Sequence, residues 1–396
     1  MFSRIQPHVR HRNTLLVLVI AAITAGLAAM PPLYKSPYAQ SVNRVRAEVI
    51  AVDNSEIQQF GIVRAGSQVL RVRVLSGPLA GQQVEAVNDL LGKMETDKMF
   101  AVGDTAFVVL EGTDSEITSA RAFDHYRVDV EVLLLALFAA LLIGFAGWSG
   151  LRALVSFVFA GILLWKVLLP SILLGLPPLW VAVGAVALIA AATLSLVAGL
   201  TRTFVVALTG ALLGVLMTVA VASLLLPHFR LHGAVLPYSE TLLYSGFDSL
   251  NLTQLFLAAV FVGASGAVID VSIDVAASMN EVALRRPYLS IAATTTSGFA
   301  VGRAMVSTMV TTLLTAYAAG YMALLMIFLA QGVPPMNIIN TNYVAAELLK
   351  TLVGSFGLVT VAPFTALVGG LVFGQRHGAA IADDAETAFA MARSEQ

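Results

Sequence analysis

Asp270, Asp274 and Glu281 are carboxylates set in, or just beyond, an apolar run that begins near Leu255 and passes through Gly263-Ala264-Ser265-Gly266. Each residue of an α-helix turns the chain by about 100°, so positions four and eleven beyond Asp270 return to within about 40° of its direction and the three acids share one face. A rise of about 1.5 Å per residue puts Asp270 about 20 Å along the run, and puts Glu281 beyond a hydrocarbon layer about 30 Å thick. An ionised carboxylate at that depth must face protein or water, take a cation or hold a proton. The alternative is a structural ion pair, for which Arg303, at the start of the next run, is the nearest partner in sequence.

Arg303, Ser307, Thr311 and Thr315 recur at a strict four-residue spacing, with Thr308 and Thr312 beside them. Hydroxyls so placed line a polar path, or they bond their own helix and glue neighbouring helices together, which is the commoner outcome. Glu347 and Lys350 open the last run at i,i+3, where a local salt bridge with snorkelling explains them; snorkelling also accounts for Lys166. His228 and His232 have a spacing that suits a metal only on a helix with a third converging ligand, so no metal site is assigned. The chain has no cysteine, which removes disulfides, thiolate zinc sites, iron–sulfur clusters and cysteine nucleophiles. Phosphate loops, HExxH helices and GxSxG elbows are absent from the sequence, so no cofactor is expected and enzyme chemistry is the weakest class. A net charge of −1 without a basic stripe sets nucleic acid aside.

The elements that must position these groups follow from composition. Of 396 residues, 58% are hydrophobic and 12% charged, an imbalance that a water-soluble domain of average composition does not show. Arg4, Arg10 and Arg12 precede the apolar run Leu15 to Met30, read as a signal anchor rather than a cleaved peptide. Further apolar runs cover 132–148, 152–173, 178–199, 204–226, 253–275, 304–330 and 345–373. The arginines at the N-terminus and at 152, 202, 285, 286, 376 and 393 fall on alternate connections, which places those connections and both termini in the cytoplasm. Between the first two runs, alternating stretches such as Val69-Leu70-Arg71-Val72-Arg73-Val74, with turn signals at Gly77-Pro78, Gly81 and Gly103-Asp104, predict a compact β domain whose arginines mark its wet face. The expected fold is thus an α-helical integral membrane protein with about eight transmembrane helices and a small extracytoplasmic β-rich domain. Its segments are 1–41 (basic N-terminus and anchor), 42–127 (β domain), 128–375 (seven helices) and 376–396, an acidic, solvated tail.

A set of ordered marks runs through the chain. They are Ser76-Gly77-Pro78-x-x-Gly81, Asn88-x-Leu90-x-Gly92 and Gly103-Asp104, then Gly263-x-x-Gly266-Ala267-x-x-Asp270-Val271 and Asn280-Glu281. Gly302-Arg303, Thr308-Met309, Thr312-Leu313, Ala316-Tyr317, Glu347, Gly354, Gly357 and Pro363 follow. In this order the chain resembles the YibE/F-like family of bacterial membrane proteins, and the resemblance implies a multipass protein of the bacterial cytoplasmic membrane without naming a substrate. It departs from the family pattern where Ala304 replaces an acid after the glycine–arginine pair, and where Asp274 stands for a more usual neutral residue; the lost acid is then replaced in space. The leading functional expectation is a secondary transporter of an ion or small solute. Asp270, Asp274, Glu281, Arg303, Ser307 and Thr311 form its path, Asp270 and Arg303 its central site, and Glu347 and Lys350 are secondary candidates. The runner-up is a non-transporting scaffold whose outer β domain binds an envelope protein. The lipid bilayer is the expected partner in both.

Overall fold

The computed structural model describes residues 7–35, 43–113, 116–286 and 288–374. It divides into two compact units, Lys35–Gly144 and Met1–Tyr34 with Phe145–Gln396. The acidic tail at 376–396 lies outside the described residues.

In the first unit β-alternation builds a barrel. The strands are β1 (Asn43–Asp53), β2 (Gln58–Phe60), β3 (Val63–Val74), β4 (Gln83–Leu91), β5 (Thr105–Thr113) and β6 (Glu116–His125). β1 pairs with both β5 and β3, so the sheet closes on itself in the order β1-β3-β4-β6-β5, with β2 a short hairpin partner of β3. A register shift between Val49 and Ala51 lets β1 bend from one neighbour to the other. β4 and β6 meet in parallel through Val87 and Arg121, and every other pairing is antiparallel. Counting only the five closing strands, the order is 1-2-3-5-4-1, that of an OB-type Greek-key barrel. Val45, Ala47, Val49, Leu70, Val72, Val74, Ala106, Val108 and Leu110 point inward. Arg71 and Arg73 alternate outward, and Arg73 meets the directly opposed Glu48 at 2.7 Å.

A polar tie joins β3, β4 and the segment that follows β4. Gln68 and Asn88 are fully buried, and Asn88 Nδ2 donates to Gln68 Oε1 and to the Lys98 carbonyl. Gln68 Nε2 donates to the Phe100 carbonyl while its Oε1 accepts the Phe100 N–H, so the segment Lys98–Phe100 is pinned to β3 and β4. The helix α2 (Val128–Ala146) continues from β6, and Arg46 of β1 pairs with its Asp129 at 2.8 Å. Most of α2 therefore groups with the barrel rather than with the later helices, where the sequence boundary at 128 placed it.

The second unit contains α1 (Pro7–Ala29), α3 (Trp148–Leu163), a π-turn (Leu164–Leu168), α4 (Leu169–Leu173), α5 (Pro178–Ala198), α6 (Arg202–Phe229), α7 (Ser239–Tyr244), α8 (Leu252–Arg285), α9 (Ile291–Ala319), α10 (Met322–Ala330), α11 (Pro335–Asn340) and α12 (Asn342–Gly374). Among the described residues seven helical segments are long and apolar enough to cross a membrane: α2, α3 through α4, α5, α6, α8, α9 and α12. The apolar part of α1, Thr14–Ala29, is shorter. Two expected runs differ from the helices found. α8 continues ten residues past 275 to Arg285, and the run 304–330 is not one helix. α9 starts at Ile291, where Ser290 Oγ caps the Ala293 N–H, and ends before Gly320; α10 is separate and buries nothing. The hydroxyl-rich Thr294-Thr295-Thr296-Ser297 stretch lowers hydropathy without stopping the helix; the Thr296 hydroxyl donates back to the Ala292 carbonyl of its own turn.

α5, α6, α8, α9 and α12 surround one core. Small residues set their separation: Gly210 lies under Thr365, Gly298 against Met279 and Ala366, Gly302 against Ala362, and Gly357 against Thr218. Glycine at these crossings lets backbones approach to van der Waals contact, the main attraction between helices when lipid rather than water is the competing solvent.

Candidate functional site

The acids of α8 share one face, as their spacing predicts. Ala259, Gly263, Gly266, Asp270, Asp274, Ala277 and Glu281 form an exposed stripe on a helix otherwise buried by α5, α6, α9 and α12. Their environments then separate them. Glu281 pairs with Arg285 at 3.3 Å in an exposed i,i+4 contact at the helix end, of the kind worth a few tenths of a kcal/mol. Among the described residues Asp270 and Asp274 form neither an ion pair nor a hydrogen bond.

Arg303 does not supply the missing charge. It lies more than 4.0 Å from either acid and lines a groove of about 330 Å³ with Phe299, Gly302, Val306 and Ser307 of α9 and Val359, Ala362 and Pro363 of α12. That groove contains no residue of α8. The depth of the two charges nevertheless matches. A Cβ on Gly302 would touch Val275, and one on Gly298 would touch Met279, so α8 and α9 run antiparallel with Arg303 level with Asp274 and Ser307 level with Asp270. The outer face of α9 exposes Arg303, Ser307, Thr308, Thr311, Thr312 and Thr315 beside apolar residues such as Ala300, Ala304 and Leu314. Ser307, Thr308, Thr312 and Thr315 donate to carbonyls three or four residues back in their own helix, the helix-internal outcome open to such residues. No such bond occupies the Thr311 hydroxyl.

The most enclosed charges belong to the secondary candidates. Lys350 Nζ donates to Glu347 Oε1 at 2.7 Å, with side chains 19% and 12% exposed respectively, the least exposed of the described ion pairs. The same ammonium stands 4.7 Å from the centroid of the Tyr317 ring, a cation–π distance. Two oxygens in this cluster are buried without a partner, Glu347 Oε2 and the Tyr317 hydroxyl. Tyr321, four residues past Tyr317 and just beyond the end of α9, lies close enough for its hydroxyl to interact with the Glu347 carboxylate. Gly263 makes room for the ring: a Cβ there would meet the Tyr317 hydroxyl at 2.9 Å. The site therefore gathers α8, α9 and α12 at one end of the helical unit. Sequence spacing identified the Glu347–Lys350 pair but missed both tyrosines; their separation of four residues, at and just past the end of α9, was the available signal.

The remaining candidates are placed plainly. Lys166 donates to the Met30 carbonyl at 2.9 Å. His228 ends α6 with its ring Nδ1 beside the Leu224 carbonyl, and Arg230 then turns into the left-handed region at φ 50°, so His232 does not continue the same helical face.

Neither the curated proteins nor the solved structures compared with the chain include a match. The family model described as YibE/F-like protein matches residues 134–375, more than half of the chain. The match takes in α8, α9 and α12 with every site residue named above, and on this evidence the chain belongs to the YibE/F-like family.

Proposed function

We propose that this is an eight-span protein of the bacterial cytoplasmic membrane, with both termini in the cytoplasm and the barrel outside, and that its helical unit carries an ion or small solute by secondary transport. It is read as a carrier rather than an enzyme. The seven long apolar helices and the packing of α1 against α3 support the membrane reading, as do Arg202 and Arg285 at helix ends on alternate connections.

The observation that carries transport is the enclosed Glu347–Lys350 pair, with Glu347 Oε2 and the neighbouring Tyr317 hydroxyl buried without a geometric hydrogen-bond partner among the described residues. Ion pairs are costly to keep away from water, and in helical membrane proteins such groups mark solute and proton pathways. Glu347 Oε2 and the Tyr317 hydroxyl offer an acceptor and a donor to an arriving solute. Lys350 neutralises Glu347 in the meantime. When a proton or a cationic group reaches Glu347, the ammonium has a second resting place on the Tyr317 ring. Asp270 and Asp274 are the next acids along α8 and extend the path toward the cytoplasm.

The test is flux in liposomes holding the purified protein and a trapped pH-sensitive dye, driven by a potassium diffusion potential. Wild-type protein should move protons several-fold faster than empty liposomes, and Glu347→Gln should lose this at equal reconstitution. Wild-type liposomes indistinguishable from empty ones for H⁺, Na⁺ and K⁺ would refute the carrier reading for these ions. The scaffold reading draws on the barrel, whose Phe60, Ile62, Leu91 and Phe123 are exposed. A scaffold would keep its function in Glu347→Gln and lose it in Ile62→Ser or Leu91→Ser.

A further inference from the structure

We propose that Asp274, with Asp270 one turn away, is neutralised by Arg303 of a second copy of this chain, in a two-fold dimer that joins the open stripe of α8 to the outer face of α9. The proposal rests on the membrane reading only in that copies side by side in a bilayer share depth; it does not need transport.

Three observations converge. First, the charges are complementary and unsatisfied. Arg152, Lys166, Arg285 and Lys350 each have a partner, Arg202, Arg230 and Arg286 lie at helix ends, and Arg303 is the described cation of the helical unit that sits within a span without one. Asp270 and Asp274 are equally unpaired, and α2, the long apolar helix of the other unit, carries no basic residue. Second, the depths agree. A two-fold axis parallel to the helices keeps every residue at its own level, and Arg303 is level with Asp274. An isologous contact makes the pair twice, once in each direction. Third, the faces permit close approach. Ala259, Gly266 and Ala277 on α8, and Ala300 and Ala304 on α9, are small and exposed, and a Cβ on Gly266 would meet nothing within 4 Å. Within one chain Arg303 opens toward α12, on a groove that excludes α8. A second copy presents it from a different direction.

The chain has no cysteine, so introduced thiols report without background. In the register that sets Arg303 level with Asp274, Ala277 is level with Ala300. Full-length chains carrying Ala277→Cys with one tag and Ala300→Cys with another are co-expressed, and their membranes are treated with a mild oxidant. The expected result is a disulfide-linked dimer bearing both tags, at about fivefold or more over the depth-mismatched combination of Ala277→Cys with Ala318→Cys. Adding Arg303→Gln should reduce the yield to the control level, Arg303→Lys should retain most of it, and the charge exchange Asp274→Arg with Arg303→Asp should restore it. Equal yields from matched and mismatched positions would overturn the proposal, as would a native mass of one chain for the wild-type protein in nanodiscs. A yield unchanged by Arg303→Gln would overturn the ion pair. A monomer whose Asp274 takes a cation from solution falls under the same refutation.

Discussion

Lys166 Nζ donates to the backbone carbonyl of Met30 at 2.9 Å, tying the π-turn after α3 to the end of α1. Val17 and Ile20 of the same helix are buried in one cluster with Phe159, Leu163, Ile172 and Ala182. Removing this helix would strip those contacts from the cluster. Intact-mass measurement on protein purified from membranes should therefore find residues 15–29 still attached. A mature chain beginning after Ala28 or Ala39 would refute this. Ile20→Ala should lower thermal stability, by less than the ~2–5 kcal/mol typical of soluble cores, because lipid solvates methyl groups that water would not.

The crossings of α9 tolerate no added side chain. A Cβ on Gly298 would stand 2.5 Å from Met279 Sδ and 2.8 Å from Ala366 Cβ, whereas one on Gly184 would meet nothing within 4 Å. Gly298→Val should shift the folded protein into aggregates on size-exclusion chromatography in detergent, with a Tm reduced by several degrees or no cooperative melt. Gly184→Ala should behave as wild type. Equal behaviour of the two variants would argue against the tight α8–α9–α12 crossing.

The barrel has its own core and its own polar tie, so residues 43–127 expressed alone should fold as a monomeric β-rich unit, checked by far-ultraviolet circular dichroism. Asn88→Ala removes two buried hydrogen bonds, to Gln68 and to the Lys98 carbonyl. The expected loss is about 1–3 kcal/mol in urea melts, with faster hydrogen exchange at Phe100. A disordered spectrum for the excised domain would count against its autonomy.

Acid should loosen the same region. Partial desolvation raises the Asp97 pKa, but accepting the Leu91 and Lys93 backbone N–H groups, with Gly92 and Lys98 nearby, outweighs it and holds the carboxyl below its ordinary range. A group with a depressed folded-state pKa contributes stability that is complete above its unfolded value and is lost as pH falls through the folded one. Asp97→Asn should thus destabilise the barrel at neutral pH and flatten the acid limb of its stability curve. An unchanged limb in pH-resolved urea melts would show that Asp97 is not responsible.

Orientation is open to a direct check. A reporter inserted near Gly81 should be exposed outside, and one placed after Arg202 should be cytoplasmic, because the basic connections alternate. A cytoplasmic signal at Gly81 would invert the whole arrangement.

Hydropathy and charge act one residue at a time and sum along the chain, so the sequence alone located the long apolar segments, the arginines at their ends, the alternation of the β domain and the common face of Asp270, Asp274 and Glu281. Helix ends were less legible: the threonine-rich start of α9 is polar in composition yet helical, with Ser290 capping its first turn and the Thr296 hydroxyl bonded back to the Ala292 carbonyl. Strand order was not legible at all, since the barrel closes through β1 pairing with both β3 and β5 across long separations. The same holds for the charges. Spacing on one helix told which side chains share a face, but whether an acid meets a base depends on which neighbour that face turns toward. Only the packing of α8, α9 and α12 decided that Arg303 opens on α12, that Asp270 and Asp274 stay unpaired among the described residues, and that Glu347 and Lys350 are enclosed beneath Tyr317.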